Sequence, residues 1–357
     1  YVLIPLLDTL IGEDRNNPPE AVVPQLEADP YYRWATYALV PVLWAAFLGN
    51  AYFVGTTVLP WTGIAAIAVN IGILCGFAIN LGHELGHKKS KLERNLATSV
   101  LAMSAYGHFA IDHNRGHHRH VATPEDCASS RMGENLYGFA VRELPGAFRR
   151  AWFLETGRLE RHGQRAWSWD NEIVRAGVIT LAVSAALVSA FGWVMVPYLF
   201  ATYFIGAFHL TMANYVEHYG LLRQKRDNGL YERCQPHHSW NSNHICSNWA
   251  LYHLQRHSDH HAHPGRRYQS LRHFDGLPTL PSGYFGMFWF AFMPPLWFRV
   301  MNPLLLEHVG RDTSRIHFYP KRRAELCARY GLADGATADL PSLASDGRSE
   351  AAQERAA

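Results

Sequence analysis

The sequence predicts an all-α integral membrane protein in which transmembrane helical hairpins are capped by a cytoplasmic, histidine-rich layer able to hold two metal ions. Two long charge-free stretches, the placement of the basic residues and the clustering of histidine predict it. No Asp, Glu, Lys or Arg lies between Arg33 and Glu84, or between Arg175 and Glu217. A spanning helix needs about 20 apolar residues, so each stretch can cross a bilayer twice. Turn signals fall near both midpoints, at Leu59-Pro60-Trp61-Thr62-Gly63 and from Phe191-Gly192-Trp193 to Pro197. The predicted spans are about 34–56, 61–83, 174–192 and 196–217.

Lys88, Lys89, Lys91 and Arg94 follow the first hairpin, and Arg223, Lys225 and Arg226 follow the second. The positive-inside rule puts these segments in the cytoplasm, and the uncharged turns on the far side. The net charge of +3, with no basic run interleaved with aromatics, argues against a nucleic-acid partner. Five cysteines without C-x-x-C spacing are expected to be reduced thiols. Tyr1 to Leu10 resembles the end of a spanning helix whose beginning is missing, and 13–33 a connection to the first hairpin. The uncharged segment 95–111 is expected to be a buried or in-plane helix, and the Arg-rich segment 119–172 a partly helical cytoplasmic layer. The run from Phe285 to Phe298, interrupted by Pro294-Pro295, should pack at the interface or re-enter. Residues 1–332 then form a single membrane-embedded domain, and 333–357, without apolar periodicity, a disordered tail or linker.

Twenty-one histidines occur, and nine fall in four clusters: His83-Glu-Leu-Gly-His87, His113-Asn-Arg-Gly-His117-His118, Glu217-His218, and His257-Ser-Asp-His260-His261. On an α-helix, positions i and i+4 share a face, so His83 with His87 and His113 with His117 can each offer two imidazoles to one metal. His118 and His261 point about 100° away from their neighbours and can serve another metal or another vertex. Nine imidazoles exceed the four that a tetrahedral zinc uses, and two metals with four or five nitrogens each fit better. Imidazole suits iron, copper and zinc alike. A divalent ion also removes the repulsion among clustered imidazoles by requiring their neutral form. Glu84, Asp112, Glu217 and Asp259 stand beside these histidines and are candidates to accept the other imidazole N–H. The remaining histidines, His253 and His209 among them, are expected to be structural. The H-E-x-x-H string also occurs in zinc proteases, but that assignment leaves seven clustered histidines unexplained.

These strings resemble the membrane-bound, rubredoxin-dependent alkane hydroxylases of the histidine-box desaturase and hydroxylase superfamily. The resemblance spans nearly the whole chain and rests on His83-Glu-Leu-Gly-His87-Lys88, Asp112-His113-Asn114-Arg115-Gly116-His117-His118, Asn214-Tyr-Val-Glu-His218-Tyr219-Gly220-Leu221 and Leu254-Gln-Arg-His257-Ser-Asp-His260-His261-Ala262. Asp112 stands where the family usually has Glu. The third string separates alkane hydroxylases and aryl-methyl (xylene-type) hydroxylases from ordinary desaturases. The resemblance implies two irons bound by the nine histidines, O2 as cosubstrate, and conversion of a medium-chain alkane to a primary alcohol. It further implies a bacterial inner membrane, with electrons from rubredoxin, itself served by a reductase and either separate or fused beyond the C-terminal segment. Aryl-methyl hydroxylation and fatty-acyl hydroxylation or desaturation are the alternatives.

Two more expectations concern the substrate and the donor. Stepping back by three and four from His83 gives Asn80, Ile79, Gly76 and Gly72, and from His218 gives Asn214, Thr211 and Ala207. These small faces would line an alkane channel, or else pack two helices closely. An acidic donor would meet Arg149, Arg150, Arg158 and Arg161, or Lys321, Arg322 and Arg323.

Overall fold

Both charge-free stretches fold as hairpins in the computed structural model, which describes residues 1–333. A short apolar helix, α1 (Leu3–Ile11), precedes them. The first hairpin is α2 (Pro30–Thr56) and α3 (Trp61–Gly86), and the second, further along the chain, is α6 (Glu172–Phe191) and α7 (Met195–Glu217). All four are long and apolar enough to cross a bilayer. Their starts follow from capping: the Asp29 side chain accepts the Tyr31 N–H, and Asn171 accepts those of Ile173 and Val174. The turns fall where the sequence places them, and Gly192 adopts φ +80° to end α6.

The outer faces expose Val42, Tyr52, Leu181 and Phe200, while Val58, Trp61 and Trp193 stand exposed at the turns. So much exposed apolar surface is what a lipid environment requires. Between the hairpins, Phe47 and Ala51 of α2, Ile71 and Cys75 of α3, and Tyr198 and Leu199 of α7 share one core.

Helices α3 and α7 run side by side in the same direction. A Cβ added at Gly72 would lie 2.5 Å from Ile205, one at Gly76 2.5 Å from His209, and one at Gly206 2.7 Å from Cys75. Each four-residue step along α3 is matched by four along α7, so His83 and His218 emerge at nearly the same height. The space beside Gly72 and Gly76 is filled by Ile205 and His209. The glycines therefore serve close helix packing, which corrects the channel expectation at these two positions.

Segment 95–111 is not one helix. Helix α4 (Lys91–Met103) ends at Ala105, a non-glycine residue at φ +54°, where the Tyr106 N–H bonds to the Leu101 carbonyl at 2.8 Å. Beyond it, Phe109–Ile111 and His118–His120 are α-helical, and Asp112–His117 between them is π-helical. Helix α5 (Leu136–Arg161) occupies the Arg-rich segment. Two six-residue helices, α8 (Ile245–Ala250) and α9 (His257–Ala262), follow α7. The final apolar run is broken as expected, into α10 (Tyr284–Phe292) and α11 (Pro294–His308), and α12 (Arg323–Tyr330) comes last. A second core of Tyr215, Tyr219, Trp240, Tyr284, Phe288 and Trp297 joins α7 to these elements. The tail expected at 333–357 lies outside the described residues but for its first residue.

Replacing Gly76 by Ala should lower stability by about 1–3 kcal/mol through overpacking against His209. Thermal unfolding in detergent measures this, and stability equal to the parent's would overturn the packing role of Gly76.

Candidate metal centre

Nine histidines converge above the ends of α3 and α7 in two adjoining groups. His83, His87, His113, His118 and His260 form one, and His117, His218, His257 and His261 the other; within each, the candidate ligand atoms lie within 4.8 Å of one another. The groups meet at His118 and His261, whose ring centroids are 4.4 Å apart.

The π turn decides how the second cluster is shared. In an α-helix His113 and His117 would face one metal; in a π turn residues five apart share a face. His113 and His118 therefore point together, with their Nε2 atoms 3.0 Å apart, while His117 turns to the other group. In α9, by contrast, α-helical spacing holds: His257 and His261 share the four-histidine group with Nε2 atoms 2.9 Å apart, and His260 reaches across to the Nε2 of His83, also at 2.9 Å.

The donor set fits metal ions. Nitrogens bound to one ion at about 2.1 Å lie about 3 to 3.4 Å from their neighbours. The Nε2 contacts fall between 2.9 and 3.2 Å in both groups. Hydrogen bonding alone satisfies them poorly, because His118 Nε2 meets both His113 and His260 and a neutral nitrogen carries one proton or one lone pair. His87 Nε2 and His117 Nε2 are buried without a protein partner, as a nitrogen reserved for an ion would be. Burial and the neighbouring imidazoles hold His87, His113, His118, His257, His260 and His261 well below the usual histidine range, so they are neutral.

The carboxylates divide differently from expectation. Asp126, which sequence reasoning missed, accepts the His117 Nδ1–H at 2.9 Å and is fully buried. Burial alone would raise its pKa, but His117, Arg150 and Ser129 more than offset this and hold it well below the usual carboxylate range. Asp112 pairs in a bidentate manner with Arg150, and Asp259 with Arg272, whose Nη2 donates to Oδ1 and Nε to Oδ2. Glu84 pairs with Lys88 at 3.0 Å, so its partner is an ammonium rather than an imidazole, and it lacks the freedom of a protease base. Glu217 comes within 3.4 Å of His257 through Nε2, the nitrogen facing the group, so its carboxylate borders the centre instead of supporting a ligand from behind.

The other candidate positions are occupied by packing or hydrogen bonds. Ile79 and Ala207 join an apolar cluster with Leu101 and Tyr106. Thr211 and Asn214 donate to the buried Glu143 at 2.7 and 3.2 Å, and Asn80 donates to the Leu251 carbonyl at 2.9 Å. Arg149 and Lys321 are exposed. Arg158 pairs with Glu155, Arg322 pairs with Glu325, and Arg323 lies over the Phe318 ring. Arg161 has a partner of its own. Arg150 is committed to Asp112 and Asp126 inside the protein, which corrects its assignment to a docking surface.

Replacing Asp126 by Asn should weaken metal retention about 10- to 100-fold, as loss of the carboxylate behind a ligating histidine generally does. Metal analysis after dialysis against a graded chelator measures it.

A family model for fatty acid desaturases matches residues 56–291. An alkane 1-monooxygenase of Ectopseudomonas oleovorans is 54% identical over 332 residues, covering 93% of this chain and 82% of the relative. One of Pseudomonas putida is 55% identical over 331 residues, covering 92% and 82%. More distant is the xylene/toluene monooxygenase hydroxylase component of Pseudomonas putida, 26% identical over 239 residues, covering 67% and 63%. Taken with the four spanning helices and the histidine groups, these similarities identify the chain as an integral membrane oxidoreductase that belongs to the alkane 1-monooxygenases, within the fatty acid desaturase family.

Proposed function

We propose that the protein hydroxylates the terminal carbon of medium-chain alkanes, using O2, two irons and electrons from rubredoxin. The observation that carries this is the pair of adjoining groups of five and four imidazoles at the ends of two spanning helices. A terminal C–H bond is too strong for side-chain acid–base chemistry, and irons held by these histidines would supply, with O2, the oxidising power that no amino acid has. One oxygen atom enters the alkane, and the other leaves as water with two electrons and two protons.

The chain's own residues orient and insulate. Asp126 fixes His117 with Nδ1 protonated, so its Nε2 lone pair faces the group. Arg272 fixes Asp259 within α9, between the histidines that serve the two groups. The Glu217 carboxyl, 3.4 Å from His257 Nε2, borders the group and would offset part of the positive charge of ions held by neutral imidazoles. Alkane partitions into the bilayer and approaches from the membrane side, while the donor approaches the opposite face, which we assign to the cytoplasm of a bacterial inner membrane by the positive-inside rule. The higher identity to alkane 1-monooxygenases than to the xylene/toluene enzyme favours an alkane over an aryl-methyl substrate.

Purified protein should contain two irons per chain and turn octane into 1-octanol. One zinc per chain, or preferential oxidation of xylene, would overturn the proposal. Alanine at His83, His87, His117, His257 or His261 should abolish hydroxylation and lower iron content, whereas His253→Ala should be mild. Normal turnover and iron in His117→Ala would remove it from the ligand set. At limiting rubredoxin, turnover should fall as salt rises, and Arg149→Glu or Lys321→Glu should raise the KM for rubredoxin without changing iron content. Salt-independent turnover would rule out a docking face that includes Arg149 and Lys321.

A further inference from the structure

One cation sits behind both histidine groups. The Arg150 side chain is 15% exposed and uses all three guanidinium nitrogens inside the protein. Nε and Nη2 donate to the two oxygens of Asp112 at 2.6 and 2.9 Å, and Nη1 donates to Asp126 Oδ1 at 2.7 Å. Asp112 opens the π turn immediately before His113 of the five-histidine group. Asp126 holds the Nδ1 of His117 in the four-histidine group, and its remaining contacts are the Ser129 hydroxyl at 2.7 Å and the Ala128 N–H at 3.1 Å. A single side chain from α5 therefore anchors the start of the turn that presents ligands to one group and the carboxylate that orients a ligand of the other.

The backbone leaves room for that side chain and nothing more. A Cβ added at Gly116 would lie 2.5 Å from Arg150 Nε and 3.0 Å from Cδ. Gly116 sits within the π turn between His113 and His117, so its missing side chain is where the arginine crosses.

We propose that Arg150 is a positioning residue shared by the two metal groups, fixing through Asp112 and Asp126 which imidazole faces which ion. The planar fork matters as well as the charge, because an ammonium cannot make the two parallel bonds to Asp112 while also reaching Asp126. This inference rests on the di-iron proposal, and the experiment separates their failures.

Iron content and Mössbauer spectra are measured for the parent protein, Arg150→Lys, Arg150→Gln and Gly116→Ala, with helicity in detergent checked by circular dichroism. Parent protein lacking two irons would sink the di-iron reading itself. With two irons in the parent, Arg150→Gln should lose iron at least tenfold more readily to chelator and show an altered signal from both sites. Added ethylguanidinium should restore retention, and Arg150→Lys should recover it only in part. Gly116→Ala, which displaces the guanidinium without removing it, should give altered spectra in a folded protein. Parent-like spectra and retention in both Arg150→Gln and Gly116→Ala would overturn the proposal. An Arg150→Gln that unfolds leaves the decision to Gly116→Ala.

Discussion

Nine imidazoles gathered in two adjoining groups, seven of them with an Nε2 atom 2.9 to 3.2 Å from a neighbour's, form the constraint on which the rest of the structure depends. Such an arrangement cannot be held together by hydrogen bonds among the rings, since each nitrogen has one proton or one lone pair to offer. It cannot be held with the rings protonated either, because buried like charges would drive the elements apart. Neutral rings around divalent ions satisfy both conditions. Each surrounding element is then required to deliver rings to a fixed height and direction. The parallel contact of α3 with α7, made possible by Gly72, Gly76 and Gly206, sets that height for His83 and His218.

Metal ions held only by neutral imidazoles would leave their full charge to be balanced by the surroundings, and the surroundings are rich in ordered carboxylates. Asp112, Asp126 and Asp259 are each tied to an arginine, Glu84 to a lysine, and Glu217 lies close to His257 with one oxygen unpartnered. A buried carboxylate paired with arginine adds little net charge, but its direction is fixed by the fork. The arginines hold the acids in place, and Asp126 in turn holds an imidazole. Glu217 differs from these four: among the described residues no lysine or arginine pairs with it, and its closest basic partner is His257 at 3.4 Å.

The parts of this design that depend on composition were legible in the sequence. Two charge-free stretches give four helices whose ends lie within a few residues of those expected, because a bilayer demands length and apolarity and little else. The nine clustered histidines gather as the spacing suggested. What escaped was local winding and long-range pairing. The extra residue per turn in Asp112–His117 moves His117 from one group to the other, and nothing in Asp-His-Asn-Arg-Gly-His signals a π turn. Asp126 lies nine residues beyond His117 in a loop, so no periodicity links the two. Arg150 looks like any other basic residue of an Arg-rich helix until α5 is placed behind the π turn. The small residues of α3 fit a channel and close packing equally well, and only the position of Ile205 and His209 decides between them.

The short helix α9 shows how the centre is kept rigid without help from helix propensity. Six residues are too few to be stable alone, and they form because both flanks are clamped. Asn241 accepts the Ser258 N–H at 3.0 Å and donates to its hydroxyl at 2.6 Å. Arg256, just before the helix, donates to the carbonyls of Leu271, Asp14 and Asn16, so the segment following α1 is tied to the helix that carries three of the nine histidines. Asp8 of α1 makes the same link one element earlier, accepting from the Ser247 N–H and hydroxyl in α8. A polar residue in an apolar helix is stable only when its partners are supplied locally, so Asp8 fixes α1 against α8 at one depth. The rings of His257, His260 and His261 thus owe their aim to residues far away in sequence, and two of them join one group while the third joins the other.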